Sequence, residues 1–337
     1  MPDFFLDRIV SLDFSTQEFA KQVDAIVQRK GGSIDGVPQA DQRGGNAVNV
    51  ASALAALDVQ VTPIICTSKL GLEILRLQLQ HRPIDLSHVK LRPTPSITTA
   101  LEFKAGNGKN NVMVRDLGSL QDFSPDDLTD SDYELIKQAD YLCLFNWAGT
   151  LNHGTELAET VFRKAKANAN CKTYLDTADP TPNKARIPEL TEKVLKSSNV
   201  DILSVNENEA CTYAAQLDEA IAEKIQSVST DKLASEAART LAQMLPARID
   251  LHTTTFAATF RGKKETVVPA FSVEALRATG AGDAWDAGNI LGDANGLSAE
   301  NRLTLANAVS ACYLSSPNGK HPTREKLLQF LKQAQPA

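Results

Sequence analysis

The sequence predicts an α/β protein with a mostly parallel central sheet, helices on both of its faces and a small β lid. Two observations support this: short apolar runs alternate with helical stretches along most of the 337 residues, and two polar or Gly-rich segments interrupt that alternation. Strands that are joined through helices run parallel, because a parallel crossover needs a dozen or more residues. We therefore expect a three-layer α/β/α sandwich that binds its ligands at the carboxyl ends of the strands.

The individual elements follow from hydrophobic periodicity. Apolar runs predict strands at residues 61–66, 141–145, 173–175, 201–205 and 249–254. Apolar residues at helical spacing predict helices at residues 46–57, 154–168, 207–216, 232–245 and 298–315.

Two segments are expected to form the lid. Residues 29–43 are rich in Gly, Pro and polar side chains, so we place one lid element around 8–43. Residues 93–115 indicate two strands around a Gly-Asn turn and form the second element. Since no repeat or long linker divides the chain, we expect a single domain over 1–337.

Composition excludes several classes of function. A net charge of -6 provides no broad basic surface, so neither nucleic acid nor a membrane is expected as a partner. Five scattered cysteines without a C-x-x-C pair, and no basic-then-apolar leader, favour a reducing cytoplasm. No apolar run reaches the roughly 20 residues that a membrane-spanning helix needs.

The most informative segment is Ala278–Gly288, in which small residues lead into a helical pattern. Free amides at a helix start stabilise an anion, and Asp283 in the first turn could take a proton from an attacking hydroxyl. Alternatively, Asp283 only complements the helix dipole. A dinucleotide-binding G-x-G-x-x-G is excluded by Trp285, and no G-x-x-x-x-G-K-[ST] occurs in the chain.

This segment resembles the D-T-G-A-G-D signature of the ribokinase family, the PfkB carbohydrate kinases, with Ala278 in place of the first aspartate. The resemblance implies a ribokinase-like fold and an ATP-dependent kinase that uses Mg²⁺. It implies that Asp283 is the catalytic base and that Thr279 contacts the nucleotide. The amides of Gly280, Ala281 and Gly282 would hold the charge of the transferring phosphoryl group.

A second resemblance lies near the amino terminus. Gly44 and Gly45, with Asn49 downstream, resemble the family's G-G-x-x-x-N-x-A motif. A glycine pair lets backbone amides approach a polyol, and Asn49 offers a donor and an acceptor. A plain loop at a helix start is the alternative.

Other substrate-binding residues follow from the same resemblance. Residues 5–10 resemble the end of the family's first strand, where an aspartate binds sugar hydroxyls, so Asp7 is the candidate; a surface turn is the alternative. The family has a complete strand before this point, whereas only a few residues precede it here. The sequence therefore does not decide how this edge of the sheet is formed. Residues 31–33, which include Gly32, resemble the family's lid segment that leads to the substrate.

The remaining family motifs concern metal and nucleotide. Asn206 and Glu209 resemble the N-x-x-E motif that supports Mg²⁺ indirectly through water, although the same spacing is also a helix capping box. Asn307 resembles the Asn that borders the adenine. Residues 250–260 lack the family's G-x-x-G, so Thr253 is the candidate for replacing that contact with the nucleotide.

The acceptor is predicted less precisely. Asn46 stands where phosphofructokinase-type members have Lys, which favours an unphosphorylated sugar or a nucleoside. Stacking of a base would depend on Phe4 or Phe5. A nucleoside kinase and a non-catalytic sugar or nucleotide sensor remain alternatives, and the lid offers strand edges for a possible homodimer.

Overall fold

A computed structural model describes residues 1–80, 82–105, 108–276, 279–317 and 319–333. The strands are β1 Phe5–Ser11, β2 Gln39–Gly44, β3 Cys66–Thr67, β4 Lys90–Leu91, β5 Ile97–Ala105, β6 Gly108–Asp116, β7 Tyr141–Phe145, β8 Lys172–Asp176, β9 Ile202–Val205, β10 Arg248–His252, β11 Phe256–Arg261 and β12 Lys264–Pro269. The helices are α1 Thr16–Gln28, α2 Asn46–Ala56, α3 Lys69–Leu79, α4 Asp130–Gln138, α5 Gly154–Ala165, α6 Ile187–Leu190, α7 Glu207–Leu217, α8 Glu219–Lys224, α9 Thr230–Met244, α10 Ala281–Ala294, α11 Ala299–Leu314 and α12 Arg324–Gln333.

The central sheet has the strand order β12-β11-β10-β9-β8-β7. Strands β7 to β10 are parallel to one another, whereas β11 and β12 are antiparallel additions at one edge. Beyond β7 the pairing continues: the Phe145 amide donates to the Met1 carbonyl at 2.8 Å, and the Cys66 amide donates to the Pro2 carbonyl at 2.9 Å. Residues 1–2 therefore lie between β7 and β3.

Helices cover both faces of this sheet, as the alternation of apolar residues predicts. On β7, Leu142 and Leu144 join a core with α5, α7 and α9, whereas Phe145 joins a second core with α2 and α10. The architecture is the predicted three-layer α/β/α sandwich. Among the described helices none is both long and apolar enough to cross a membrane.

A second sheet has the order β2-β1-β5-β6 and collects strands from both segments predicted to form the lid. Strand β1 pairs antiparallel with β2 and parallel with β5, and β5 pairs antiparallel with β6. The Gly-Asn turn predicted at 106–107 lies outside the described residues. We call these four strands the small sheet.

Two of the differences from the sequence prediction concern the run 61–66 and helix α1. The run 61–66 forms a strand only at its end, because Pro63 interrupts it and the Val61 amide donates to Pro83 instead. Helix α1 was not predicted from periodicity; it begins at a capping box formed by Ser15 and Glu18 and has no buried residue.

A buried ionic network fixes α10 and α11 to the central sheet. Asp250 on β10 is fully buried and accepts hydrogen bonds from Arg302 of α11 at 2.8 Å and Asn289 of α10 at 2.9 Å. Burial alone would raise the pKa of Asp250, but the charges of Arg248 and Arg302 hold it well below its ordinary value.

We predict that Arg302→Met lowers the free energy of unfolding by about 3–5 kcal/mol, because it leaves part of the Asp250 charge unpaired in the core. Urea unfolding followed by circular dichroism measures the change. Arg239→Met is the matched control, since Arg239 pairs with Glu265 near the surface and should cost about 1 kcal/mol or less. Equal losses in the two variants would contradict a structural role for the network.

Candidate functional site

The carboxylate of Asp283 is hydrogen-bonded to the glycine-pair segment, and we call the region around Asp283, Asn46 and Asn49 the cleft. The side-chain amide of Asn46 donates to Oδ1 of Asp283 at 2.8 Å, and that of Asn49 donates to Oδ2, also at 2.8 Å. Asp283 is in the first turn of α10, and both asparagines are in the first turn of α2. Two segments more than 230 residues apart in sequence therefore share one hydrogen-bonded centre.

Burial of this carboxylate changes its acidity. Asp283 is 6% exposed, and burial raises its pKa to about 7, with a further upward contribution from the charge of Asp176. The hydrogen bonds from Asn49 and Asn46 act in the opposite direction, because they favour the ionised form. The carboxylate is thus able to gain and lose a proton near neutral pH.

The start of α10 leaves backbone donors beside Asp283. Gly280 precedes the helix with φ of 82°, and the amides of Ala281, Gly282 and Asp283 have no acceptor within the helix. A Cβ at Gly280 would approach the Tyr313 hydroxyl to 2.7 Å, so no side chain fits there. The helix dipole and these amides favour an anion at this position.

Two further residues of the signature, Thr279 and Ala278, precede this helix start. Thr279 is exposed just before the turn. The position of Ala278, where the family signature has an aspartate, lies outside the described residues.

The glycine pair is held in place by Asp3, a residue that sequence reasoning did not identify. Asp3 is fully buried and accepts hydrogen bonds from the backbone amides of Asn46 and Ala47, both at 2.8 Å. Gly45 has φ of 98°, and a Cβ there would lie 2.9 Å from Cα of Phe4. Close backbone packing therefore requires glycine at this position.

Asp7 lies over the first glycine of the pair. A Cβ at Gly44 would overlap the Asp7 carboxylate. Burial raises the pKa of Asp7 to about 6, while a hydrogen bond from Thr98 and the charge of Arg115 partly offset that rise. Oδ1 of Asp7 is buried and has no hydrogen-bond partner among the described residues. Such an atom is suited to accept a hydrogen bond from a ligand hydroxyl.

The predicted N-x-x-E motif forms a complete capping box at the start of α7. Glu209 accepts from the amide and the side chain of Asn206 at 3.0 and 2.8 Å, and the Asn206 side chain accepts from the Glu209 amide at 3.0 Å. Burial, followed by the charges of Asp176 and Asp179, raises the pKa of Glu209 well above its ordinary value. The capping role is thus present, and the metal role stays a prediction.

The donor set around Glu209 fits the Mg²⁺ that the family resemblance implies. Its carboxylate is close enough to Asp176 and Asp179 for their charges to act on it, and all three offer hard oxygen donors. A cation held through water at this position would reduce the repulsion among the carboxylates.

Two residues predicted to contact the nucleotide already have intramolecular partners. The hydroxyl of Thr253 donates to the Phe256 carbonyl at 2.8 Å and accepts from the Phe256 amide, closing the turn between β10 and β11. The Asn307 side chain donates to the Pro269 carbonyl and accepts from the Trp285 indole, both at 2.9 Å. Their roles at the nucleotide stay predictions.

In the part of the chain that the structure describes, no hydrogen bond links Gly32 to the cleft. It is exposed in the loop before β2, and the side chain nearest to a Cβ there is Arg29. Its predicted role in leading to the substrate therefore stays a prediction.

A group of buried titratable residues beneath the cleft was not identified as such from the sequence. Burial and then the neighbouring charge of Asp176 raise the pKa of Asp286 well above its ordinary value. Burial also lowers the pKa of His252, which favours its neutral form. Asp283 and Asp286 are three residues apart on α10, a spacing that could have indicated a shared face.

Comparisons with known proteins concern the family and the fold of the chain. The profile of the pfkB family carbohydrate kinases matches residues 22–326. A comparison with curated protein sequences gives no significant match.

Several solved structures share the fold. Adenosine kinase from Sinorhizobium meliloti superposes with a TM-score of 0.72 at 17% identity, over 98% of each chain. A probable sugar kinase from Rhizobium etli gives 0.72 at 16% identity, over 98% of this chain and 97% of that one. Arabidopsis thaliana ribokinase complexed with ribose and ATP gives 0.70 at 17% identity, with the same coverage.

We predict that Gly45→Ala destabilises the protein by at least about 2 kcal/mol, because it combines an unfavourable positive φ with overlap against the backbone of Phe4. Gly262→Ala is the matched control: Gly262 also has a positive φ, but a Cβ there meets nothing within 4 Å. Its expected loss is only about 1 kcal/mol. Chemical unfolding measures the free energy of unfolding of both variants. Similar losses would mean that the close backbone approach at Gly45 does not add to the cost of the substitution.

Proposed function

Because the chain belongs to the pfkB family of carbohydrate kinases, we propose that it transfers the γ-phosphoryl group of ATP to a hydroxyl of a small, unphosphorylated sugar or sugar-like molecule. One observation carries this proposal: Asn46 and Asn49 of the glycine-pair segment donate to the carboxylate of Asp283 beside the free amides of α10. A proton acceptor, an anion-binding helix start and a polyol-binding segment thereby converge on one cleft.

The proposed mechanism assigns one task to each group. The acceptor hydroxyl is oriented by Asp7 and by the backbone of the glycine pair, and Asp283 removes its proton as the oxygen attacks. The amides of Ala281 and Gly282 stabilise the negative charge on the phosphoryl group during transfer. Mg²⁺, when bound, would neutralise charge on the phosphates of ATP, and Asn206 and Glu209 would hold its water ligands.

Water must be kept from the phosphoryl group. We assign this task to the small sheet, since β1 carries Asp7 and β2 ends at Gly44, so that substrate binding would draw the sheet over the cleft.

Burial of two aromatic side chains favours a sugar over a nucleoside. Phe4 is fully buried and Phe5 is 3% exposed, so neither presents a ring face on which a base could stack. The alternative of a nucleoside kinase is supported by the similarity between the fold of this chain and that of an adenosine kinase. A non-catalytic sensor is the other alternative.

A panel assay of ADP release with sugars and nucleosides tests the proposal. Turnover that depends on a sugar supports it, and turnover with nucleosides alone would favour the nucleoside kinase. If a sugar raises the thermal stability of the protein but no ADP is released, the protein is a sensor and not a kinase.

Asp283→Asn is expected to lower turnover by at least about a hundredfold while the fold and substrate binding stay nearly intact. The amide cannot take the proton, but it fills the same space beside Asn46 and Asn49. Steady-state kinetics measure turnover, and calorimetry measures sugar binding. Asp58→Asn, at an exposed position with a left-handed backbone that Asn tolerates, is the control. Near-normal turnover of Asp283→Asn would refute its role as the base.

The pH dependence follows from the raised pKa of Asp283, which burial brings to about 7. The base acts in its ionised form, so below that pH turnover should fall about tenfold per pH unit, and above it turnover should level off. Initial rates between pH 5.5 and 9 at saturating ATP measure the profile. Circular dichroism over the same range verifies folding, and a flat profile down to pH 5.5 would contradict the assignment.

A further inference from the structure

Three potential metal ligands converge beneath the cleft, on the side of α10 that faces the central sheet. One carboxylate oxygen from each of Asp176 and Asp286 and one ring nitrogen of His252 all lie within 4.8 Å of one another. Asp176 ends β8 and His252 ends β10, the two strands that flank β9. The parallel strand order therefore brings these two side chains together, and α10 adds the third.

Asp286 has an unsatisfied oxygen in a fully buried position. Its Oδ1 accepts hydrogen bonds from the Tyr174 hydroxyl at 2.6 Å and the Ser204 hydroxyl at 2.7 Å. Its Oδ2 is buried without a partner among the described residues, and the side chain is 0% exposed. Two adjacent buried carboxylates are costly unless a proton or a cation lies between them.

His252 presents a second unsatisfied atom. Its Nε2 is buried and has no hydrogen-bond partner in the part of the chain that the structure describes. The ring packs against Trp285 with centroids 5.0 Å apart, and a Cβ at Gly282 would lie 3.2 Å from its Cε1. The ring thus lies against α10, the helix that also carries Asp286.

We propose that Asp176, His252 and Asp286 bind one divalent transition-metal ion, with Mn²⁺ and Zn²⁺ preferred over Mg²⁺. Ligands about 2.1 Å from a common ion stand about 3–4 Å apart, so the observed grouping needs only small movements to bind it. An imidazole ligand selects transition metals over Mg²⁺, which prefers oxygen. The site shares Asp176 with the donor set around Glu209, but His252 and Asp286 belong to it alone. Binding of the ion at this site does not depend on phosphoryl transfer.

Metal binding by the full chain, without nucleotide, tests this proposal. After treatment with a chelator, equilibrium dialysis against MnCl₂ followed by elemental analysis should find about one Mn²⁺ per chain. Mg²⁺ should compete only at concentrations at least about a hundredfold higher. Pulsed electron paramagnetic resonance should show coupling of the bound Mn²⁺ to a nitrogen nucleus.

Two variants remove ligands with little change in shape. Asp286→Asn can keep the hydrogen bonds from Tyr174 and Ser204, and His252→Phe can keep the packing against Trp285. Each should weaken Mn²⁺ binding at least about a hundredfold, and the nitrogen coupling should disappear in any Mn²⁺ still bound by His252→Phe. Circular dichroism verifies that both variants are folded.

Two controls separate this site from other sources of binding. His153→Gln changes a histidine that is 42% exposed and pairs with Glu156, and Glu209→Gln changes the proposed Mg²⁺ position. Both should bind one Mn²⁺ with the nitrogen coupling intact. The proposal is wrong if the parent protein binds no ion, in which case Asp176 and Asp286 share a proton instead. Unchanged binding or nitrogen coupling in His252→Phe would equally overturn it.

Discussion

The contact on which the cleft depends is the pair of hydrogen bonds from Asn46 and Asn49 to Asp283. Both asparagines are in the first turn of α2 and the aspartate is in the first turn of α10, so the bonds join two helix starts that face each other. Each helix start is a positive end of a dipole, and the carboxylate between them is stabilised by both. The same two bonds restrain a pKa that burial alone would raise further.

The cleft concentrates acidic groups that must each be compensated. Asp3 is satisfied by backbone amides and by Asn146, and Glu209 is satisfied by Asn206. Asp286 is satisfied on one oxygen only, and Asp7 has one buried oxygen without a partner among the described residues. Among these acidic groups of the described chain, the oxygens without a partner belong to Asp7 and Asp286, where a hydroxyl and a cation are the proposed ligands.

Sequence reasoning identified the parts of the cleft that are contiguous in the chain. The small residues before α10 and the glycine pair before α2 indicated helix starts that bind ligands, because free amides and missing side chains are local properties. The fold class was likewise predictable, since β7 to β10 alternate with helices and their apolar runs match the observed strands within one or two residues.

Other parts could not be predicted because they depend on which elements become neighbours. Asp3 lies in a run of four residues with no periodicity, and its function as a cap appears only when it meets α2. His252 and Asp176 lie at strand ends separated by β9, so their convergence requires the strand order. Helix α1 is absent from the prediction because residues 8–43 are interpreted there as a lid element, although the apolar residues of the helix follow helical spacing.

The junction between the two sheets limits how the small sheet can move. Residues 1–2 pair with β7 of the central sheet and with Cys66 of β3, whereas β1 begins at Phe5 in the small sheet. Between them, Asp3 is bonded to α2 and Phe4 packs against Gly45. Motion at this junction would break buried hydrogen bonds, which is costly. The proposed closure over the cleft would therefore have to bend the small sheet further along β1, beyond the point where Asp7 lies over Gly44.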